Sequence, residues 1–207
     1  MCFHSKQTKS AVELQNRFKA TLKDPQLFSP QAQINGFAFP ATPIITAQEP
    51  TLIQHAHWGL IPAWAKDESI RQCTLNAKIE TLDEKPSFRE AVSKRCLILA
   101  NGFYEWQWLD AKGKTKQAYE IGLADEAPFA FAGLYTQWLC PQTGNPRTTY
   151  TIITTQASPF MATIHNTKKR MPVILAPADE TRWLQQAPIA GFGFPYAVEL
   201  EARKVNS

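Results

Sequence analysis

The chain has 207 residues, 44% of them hydrophobic, which suits one domain with a proper core. No apolar run approaches the ~18 residues of a membrane-spanning helix and no secretion signal is visible, so a cytoplasmic protein is expected. The 22 basic and 18 acidic residues leave +4, which permits a nucleic-acid partner without demanding one, and Cys2, Cys73, Cys96 and Cys140 stand too far apart for a zinc motif and read as free thiols.

Cys2 follows the initiator methionine directly. Methionine is normally removed when the next side chain is this small, and the mature chain would then carry a thiol and a free α-amine on one residue. Ser10 and Glu13 form a capping box that opens a helix to about Leu22, with Val12, Phe18 and Leu22 near one face. Proline-rich turns lead to strands over 44–47 and 51–58, and 86–92 reads as a short helix. Strands follow over 96–100, 103–109 and 117–123, with "DAKGK" as the turn between the last two. Residues 129–139 and 148–155 are β-rich around the "PQTGNP" loop. Residues 158–164 and 177–187 read as helices, the second with Pro177 at its first position, and 172–175 as a short strand between them. Many strands joined by hairpins, with few helices, predict an α+β fold, largely antiparallel and curled toward a barrel.

His55 and His57 share a strand face, but with no third ligand near in sequence they read as polar surface, and no metal is expected. His165, in "TIHNTKKRMPVIL", lies between a helix and a strand beside Lys168, Lys169 and Arg170. Those charges are expected to lower its pKa and leave a neutral imidazole near pH 7; a purely structural loop histidine is the alternative. Glu105, in "NGFYEWQW", shares a face with Phe103 and Gln107. It is either a solvent-facing carboxylate or one in a partly apolar cleft, with a raised pKa suited to proton transfer. Asn76 and Lys78, in "TLNAKIET", offer an amide and a cation on one strand face, and Trp58 and Trp64 flank the turn in "HWGLIPAWAKD".

Taken together and in order, Met1-Cys2, "WGLIPAW", "NAKIET", "NGFYEW" and "IHNTKKRMPVIL" resemble the SRAP family, the SOS-response-associated peptidase-like proteins. The likeness runs from Cys2 to about Leu175 and more loosely beyond. It implies a single α+β domain over residues 1–207, a mostly antiparallel β-barrel-like sheet with flanking helices. It further implies a monomer without cofactors that senses abasic sites in single-stranded DNA and links to them covalently, cytoplasmic and nucleoid-associated when bound to DNA. Carried over by motif, the nucleophile falls on Cys2, the site amide on Asn76, the acid/base carboxylate on Glu105 and the site histidine on His165. His4, Pro40, Trp64, Lys78, Lys168, Lys169 and Arg170 fall in segments that would line the DNA channel. Family members usually begin Met-Cys-Gly-Arg, where this chain has Phe3 and His4, and the usual Asn-Ala-Arg is here Asn76-Ala77-Lys78, which keeps a charge but loses bidentate geometry.

The chemistry of Cys2 points the same way. An abasic deoxyribose exposes an aldehyde when its ring opens; a terminal amine of pKa ~7.7–8.0 condenses with it, and the thiol of the same residue can close a thiazolidine. Two other readings compete: a thiol peptidase, acting once on its own N-terminus to remove Met1, and a non-catalytic single-strand-binding module.

Overall fold

The structure, a computed structural model, describes residues 2–205. In chain order the elements are β1 (His4–Gln7), α1 (Ala11–Phe18), β2 (Thr21–Leu22), β3 (Gln31–Asn35), β4 (Ala41–Thr46), β5 (Leu52–Trp58) and β6 (Asn76–Lys78). Then come β7 (Arg95–Ala100), β8 (Gly102–Trp108), β9 (Lys116–Gly122), β10 (Phe129–Leu139) and β11 (Pro146–Gln156). The chain ends with α2 (Pro159–Ile164), β12 (Arg170–Pro172), β13 (Ile174–Leu175), α3 (Pro177–Leu184) and β14 (Glu201–Val205).

Strands β11, β10, β7, β4 and β5 pair in that order, all antiparallel. A parallel contact of β5 with β11, His57 beside Thr149 and Trp58 beside Tyr150, closes them into a five-stranded barrel. β2 extends β5, β6 and β12 extend β11, and β13 pairs with β10. A second sheet runs β14-β9-β8-β1-β3. The fold is therefore α+β, mostly antiparallel and built on a barrel, as the sequence predicts. Among the described residues no helix is long and apolar enough to cross a membrane.

Both faces of the barrel wall are apolar, which is why "RCLILA" in β7 is buried at every position. Leu97, Leu99, Ile45, Ile53 and Ile153 pack in one cluster with Leu14 of α1 and Trp183 of α3. Helices can lie only outside a closed barrel, so the alternate residues Ile44, Cys96, Ile98, Phe131 and Ile152 face inward. Their cluster continues to Phe103 and Ile121 of the second sheet and to Cys2. The barrel's interior thus opens toward the second sheet, where Cys2 lies. Arg17 grips Glu180 at 3.1 and 2.6 Å to tie α1 to α3, and the Arg95 guanidinium donates to the Trp183 and Ala187 carbonyls under the end of α3.

Three helical expectations are trimmed. The Ser10–Glu13 capping box is present, but α1 stops at Phe18 because Lys19 takes a left-handed conformation (φ 52°). Thr21 and Leu22 then pair with Leu52 and Ile53 as β2 instead of continuing the helix. Residues 86–92 hold only a 3-10 turn, Arg89–Ala91, too short a run to nucleate an α-helix. α3 ends at Leu184, closely followed by Gln186 at φ 65°. Strands β1, β3 and β14 carry no apolar run long enough to announce them; their neighbours in the sheet supply the pairing.

Gly133 of β10 marks the tightest point of the wall. A Cβ there would meet Ile98 Cδ1, and would sit 2.9 Å from the Thr151 carbonyl and 3.0 Å from Cys96 Sγ. Gly133→Ala is expected to cost about 2 kcal/mol through overpacking, read as a fall in Tm of roughly 4–8 °C. An unchanged Tm would mean that the wall yields at this point.

Candidate active site

β1 delivers Cys2 to the mouth of the barrel. It pairs antiparallel with β8, His4 opposite Tyr104, which sets Cys2 beside the Glu105–Trp106 stretch. On its other side the Phe3 carbonyl accepts a hydrogen bond from the Gly36 amide at 2.8 Å. That approach suits glycine, since a Cβ at position 36 would come within 3.2 Å of both the Phe3 carbonyl and the Trp58 ring. From the barrel side, Asn76 donates through Nδ2 to the Cys2 carbonyl at 2.8 Å. Its Oδ1 is buried and accepts no hydrogen bond among the described residues.

The Cys2 side chain is 0% exposed, and its Sγ donates to the His4 carbonyl at 3.7 Å. Burial and the nearby Glu105 carboxylate push the thiol well above its ordinary pKa, so it is held protonated. Glu105 is 4% exposed, which removes the solvent-facing alternative. Strand alternation puts it on the Phe103 face, and burial raises its carboxyl to about 7. Near neutrality it is divided between acid and carboxylate.

His165 closes the C-terminus of α2. Its Nδ1 accepts from the Arg170 amide at 3.0 Å, so the neutral ring carries its proton on Nε2, which lies 4.0 Å from Glu105 Oε2. Its pKa falls to about 4. The direction matches the expectation from sequence, but burial comes first among the causes and Lys168 last. The loop is set by Lys169, at φ 48°, whose amide donates to the His165 carbonyl. Arg170 anchors it from the other side, with its guanidinium donating to Glu80 at 2.7 and 2.9 Å and to the Thr154 carbonyl at 2.7 Å.

Two open recesses meet at Glu105, Trp106, Phe3 and Lys116. One, of about 260 Å³, continues past Trp108 to His165, Thr167 and Lys168; the other, of about 290 Å³, continues to His4 and Phe37. The fold therefore brings Cys2, Asn76, Glu105 and His165 together, with His4 and Lys168 at the recess walls. Cys2 and Asn76 lie beneath these recesses and do not line them, and neither do Pro40, Trp64, Lys78, Lys169 and Arg170. Trp64 is 51% exposed, Lys78 and Lys169 are exposed, and Arg170 is engaged by Glu80. Among the described residues no group of three or more His, Cys, Asp or Glu is placed to hold a metal, and His57 Nδ1 lies 3.2 Å from the Phe39 carbonyl.

Sequence reasoning overlooked Lys116, Phe3 and Phe37. Lys116 was within reach: it stands opposite Trp108 across the β8–β9 hairpin, with its Nζ 5.3 Å from the centre of that ring. Phe3 and Phe37 had no local signal, because only the pairing of β1 with β3 makes them neighbours.

A family model described as SOS response associated peptidase (SRAP) matches residues 1–207. The "Abasic site processing protein YoqW" of Bacillus subtilis (strain 168) is 55% identical over 128 residues, covering 61% of this chain and 54% of that protein. The "Abasic site processing protein HMCES" of Gallus gallus is 34% identical over 163 residues, covering 67% of this chain and 46% of that one. The chain thus spans about half the length of these relatives. A crystal structure of a Bacteroides thetaiotaomicron protein superposes with a TM-score of 0.89 at 35% identity, covering 99% of this chain and 92% of the other. One from Bordetella bronchiseptica gives 0.82 at 25% identity, covering all of both chains.

Proposed function

The chain belongs to the SRAP family, and from that membership we propose that it processes abasic sites in single-stranded DNA by a covalent link through Cys2 after Met1 is removed. The observation that carries this reading is the Asn76 amide on the Cys2 carbonyl at 2.8 Å, in a site that also holds Glu105 and His165. It holds the backbone of residue 2, the one residue that would bear both nucleophiles.

The steps follow from the groups present. Glu105, as the acid, protonates the ring oxygen of the sugar's cyclic form as its bond to C1′ breaks, and takes back the proton of the C1′ hydroxyl, whose oxygen becomes that of the aldehyde. The neutral Cys2 amine adds to C1′; loss of one water leaves the imine. The thiol then adds across the C=N bond, forming S–C1′, and its proton ends on nitrogen. Closure removes the imine that would promote β-elimination of the 3′ phosphate, so the lyase path and the durable adduct compete. His165, with its proton on Nε2, donates toward developing oxygen charge, and Asn76 Oδ1, which accepts no hydrogen bond among the described residues, accepts from a sugar hydroxyl. Lys168, Lys169, Lys78, His4, Pro40 and Trp64 contact the strand, while Arg170 acts by holding His165.

The buried, protonated thiol favours this reading over a thiol peptidase. A peptidase cysteine attacks a bound peptide as an accessible thiolate. Here the thiol needs only to meet a carbon already tethered to its own amine.

Single-stranded DNA with an abasic site is expected to give an adduct whose mass is protein plus DNA minus one water, without a reducing agent. A tetrahydrofuran analogue, lacking the aldehyde, is expected to bind without linking. Duplex should be captured more slowly, since unpairing costs a few kcal/mol, and binding should weaken steeply with salt. Equal capture of duplex and single strand would overturn the strand preference; no adduct with either would overturn the covalent reading.

A further inference from the structure

The two recesses that meet at Glu105 differ in chemistry. The one reaching His165 and Lys168 adds an imidazole, the Thr167 hydroxyl and a second lysine to the shared Glu105 and Lys116, groups suited to a sugar and its phosphate, beside Trp108. The other is walled by Phe3, Phe37, His4 and Trp106. The Phe3 and Phe37 rings lie 4.8 Å apart at 35°, and His4 meets Trp106 edge-on at 5.0 Å. Phe37 is 52% exposed, yet it is held in place. Its amide donates to Asn35 Oδ1 at 3.0 Å at the start of a 3-10 turn, and the neighbouring Gly36 amide is bonded to the Phe3 carbonyl. An aromatic platform fixed in position and left open to solvent suits a flat partner, which gains stacking without having to order the platform. Burial lowers the pKa of His4, which favours its neutral ring beside the aromatic side chains. Lys116 lines both recesses, where the phosphate joining two successive nucleotides would pass.

We propose that the aromatic recess is a nucleobase subsite: it stacks the base of the nucleotide adjoining the abasic sugar against Phe37 and Phe3, with Lys116 on the linking phosphate. The proposal rests on the abasic-site reading and adds a contact that an abasic sugar cannot itself make. The site then recognises a missing base beside one that is present, and isolated sugar-phosphate binds poorly.

Affinity for single-stranded oligonucleotides carrying one tetrahydrofuran residue tests it by fluorescence anisotropy. The oligonucleotides are compared with others in which the neighbouring base is also removed, on the 5′ or the 3′ side. Removing the base on one side is expected to weaken binding about tenfold. Phe37→Leu should bind the intact oligonucleotide about tenfold more weakly and lose the dependence on that base, while Phe37→Trp keeps both. Lys116→Gln should lower the salt slope by about one. Wild-type affinity indifferent to both removals, or a base dependence undiminished in Phe37→Leu, would overturn the subsite. No crosslink is read, so base-dependent binding by a protein that forms no adduct would count against the covalent reading and leave the subsite standing. Failure to bind any of these oligonucleotides would sink both.

Discussion

Cys2→Ala protein mixed with single-stranded abasic DNA is expected to leave no adduct that survives denaturation. The substitution keeps the terminal amine, so condensation to the imine still occurs and borohydride traps it. Without the thiol the ring cannot close, and the untrapped imine hydrolyses or goes on to strand cleavage. The durable product should fall below detection, while broken strands rise relative to the wild type. Loss of one buried sulfur near the barrel's mouth leaves the rest of the interior cluster in place, so the protein should still bind the tetrahydrofuran analogue. An extension ahead of Cys2 blocks the amine and should remove both the durable adduct and the trapped one. Gel electrophoresis under denaturing conditions, with and without borohydride, separates these outcomes. A durable adduct from untreated Cys2→Ala would exclude the thiazolidine.

The second large effect falls on Glu105. Its carboxyl, raised by burial to about 7, can give a proton and take one back near neutrality. Glu105→Gln keeps the shape and removes the transfer, so the rate of adduct formation should drop about 100-fold with little change in affinity for the analogue. The wild-type rate should change across pH 7, and that inflection should vanish in the variant. A variant that reacts at the wild-type rate would remove Glu105 from the chemistry. Stability gives an independent check. Glu105 has a folded pKa above its ordinary 4.5, so its contribution is present below 4.5 and lost as pH rises toward 7. His165 has one below its ordinary 6.5, so its contribution is present above 6.5 and lost as pH falls toward 4. Between 4.5 and 6.5 the two oppose each other. Removing the carboxylate leaves the histidine's slope, so as pH rises from 4.5 to 6.5 Glu105→Gln should gain more stability than the wild type, measured by urea midpoint. Parallel midpoints in the two proteins would mean that the carboxyl is not held protonated by the fold.

Local signals in the sequence carried far where the physics is local. The capping box at Ser10, the turn at Asp110–Lys114 and the strand β8 each involve residues within a few positions, and each recurs in the structure. Helix lengths were overread because their ends depend on distant partners: β2 leaves α1 to join β5, and Arg95 takes the carbonyls of Trp183 in the last turn of α3 and of Ala187 beyond it. The barrel was legible as a tendency, from many strands in hairpins. Its closure was not, because the parallel contact of β5 with β11 joins segments with no hairpin between them.

The same division holds at the candidate site. Sequence alone determined that residue 2 can present an amine and a thiol together, that Glu105 stands in an aromatic strand, and that His165 is followed by cations. It also supplied the motif order that marks the SRAP family. Only the tertiary structure decided that Asn76 holds the Cys2 carbonyl, that Arg170 fixes the His165 tautomer, and that Phe37 joins Phe3 beside Glu105. It decided the acid–base properties too. Desolvation, the leading cause of the shifts at Cys2, Glu105 and His165, depends on what packs over a group rather than on its neighbours along the chain.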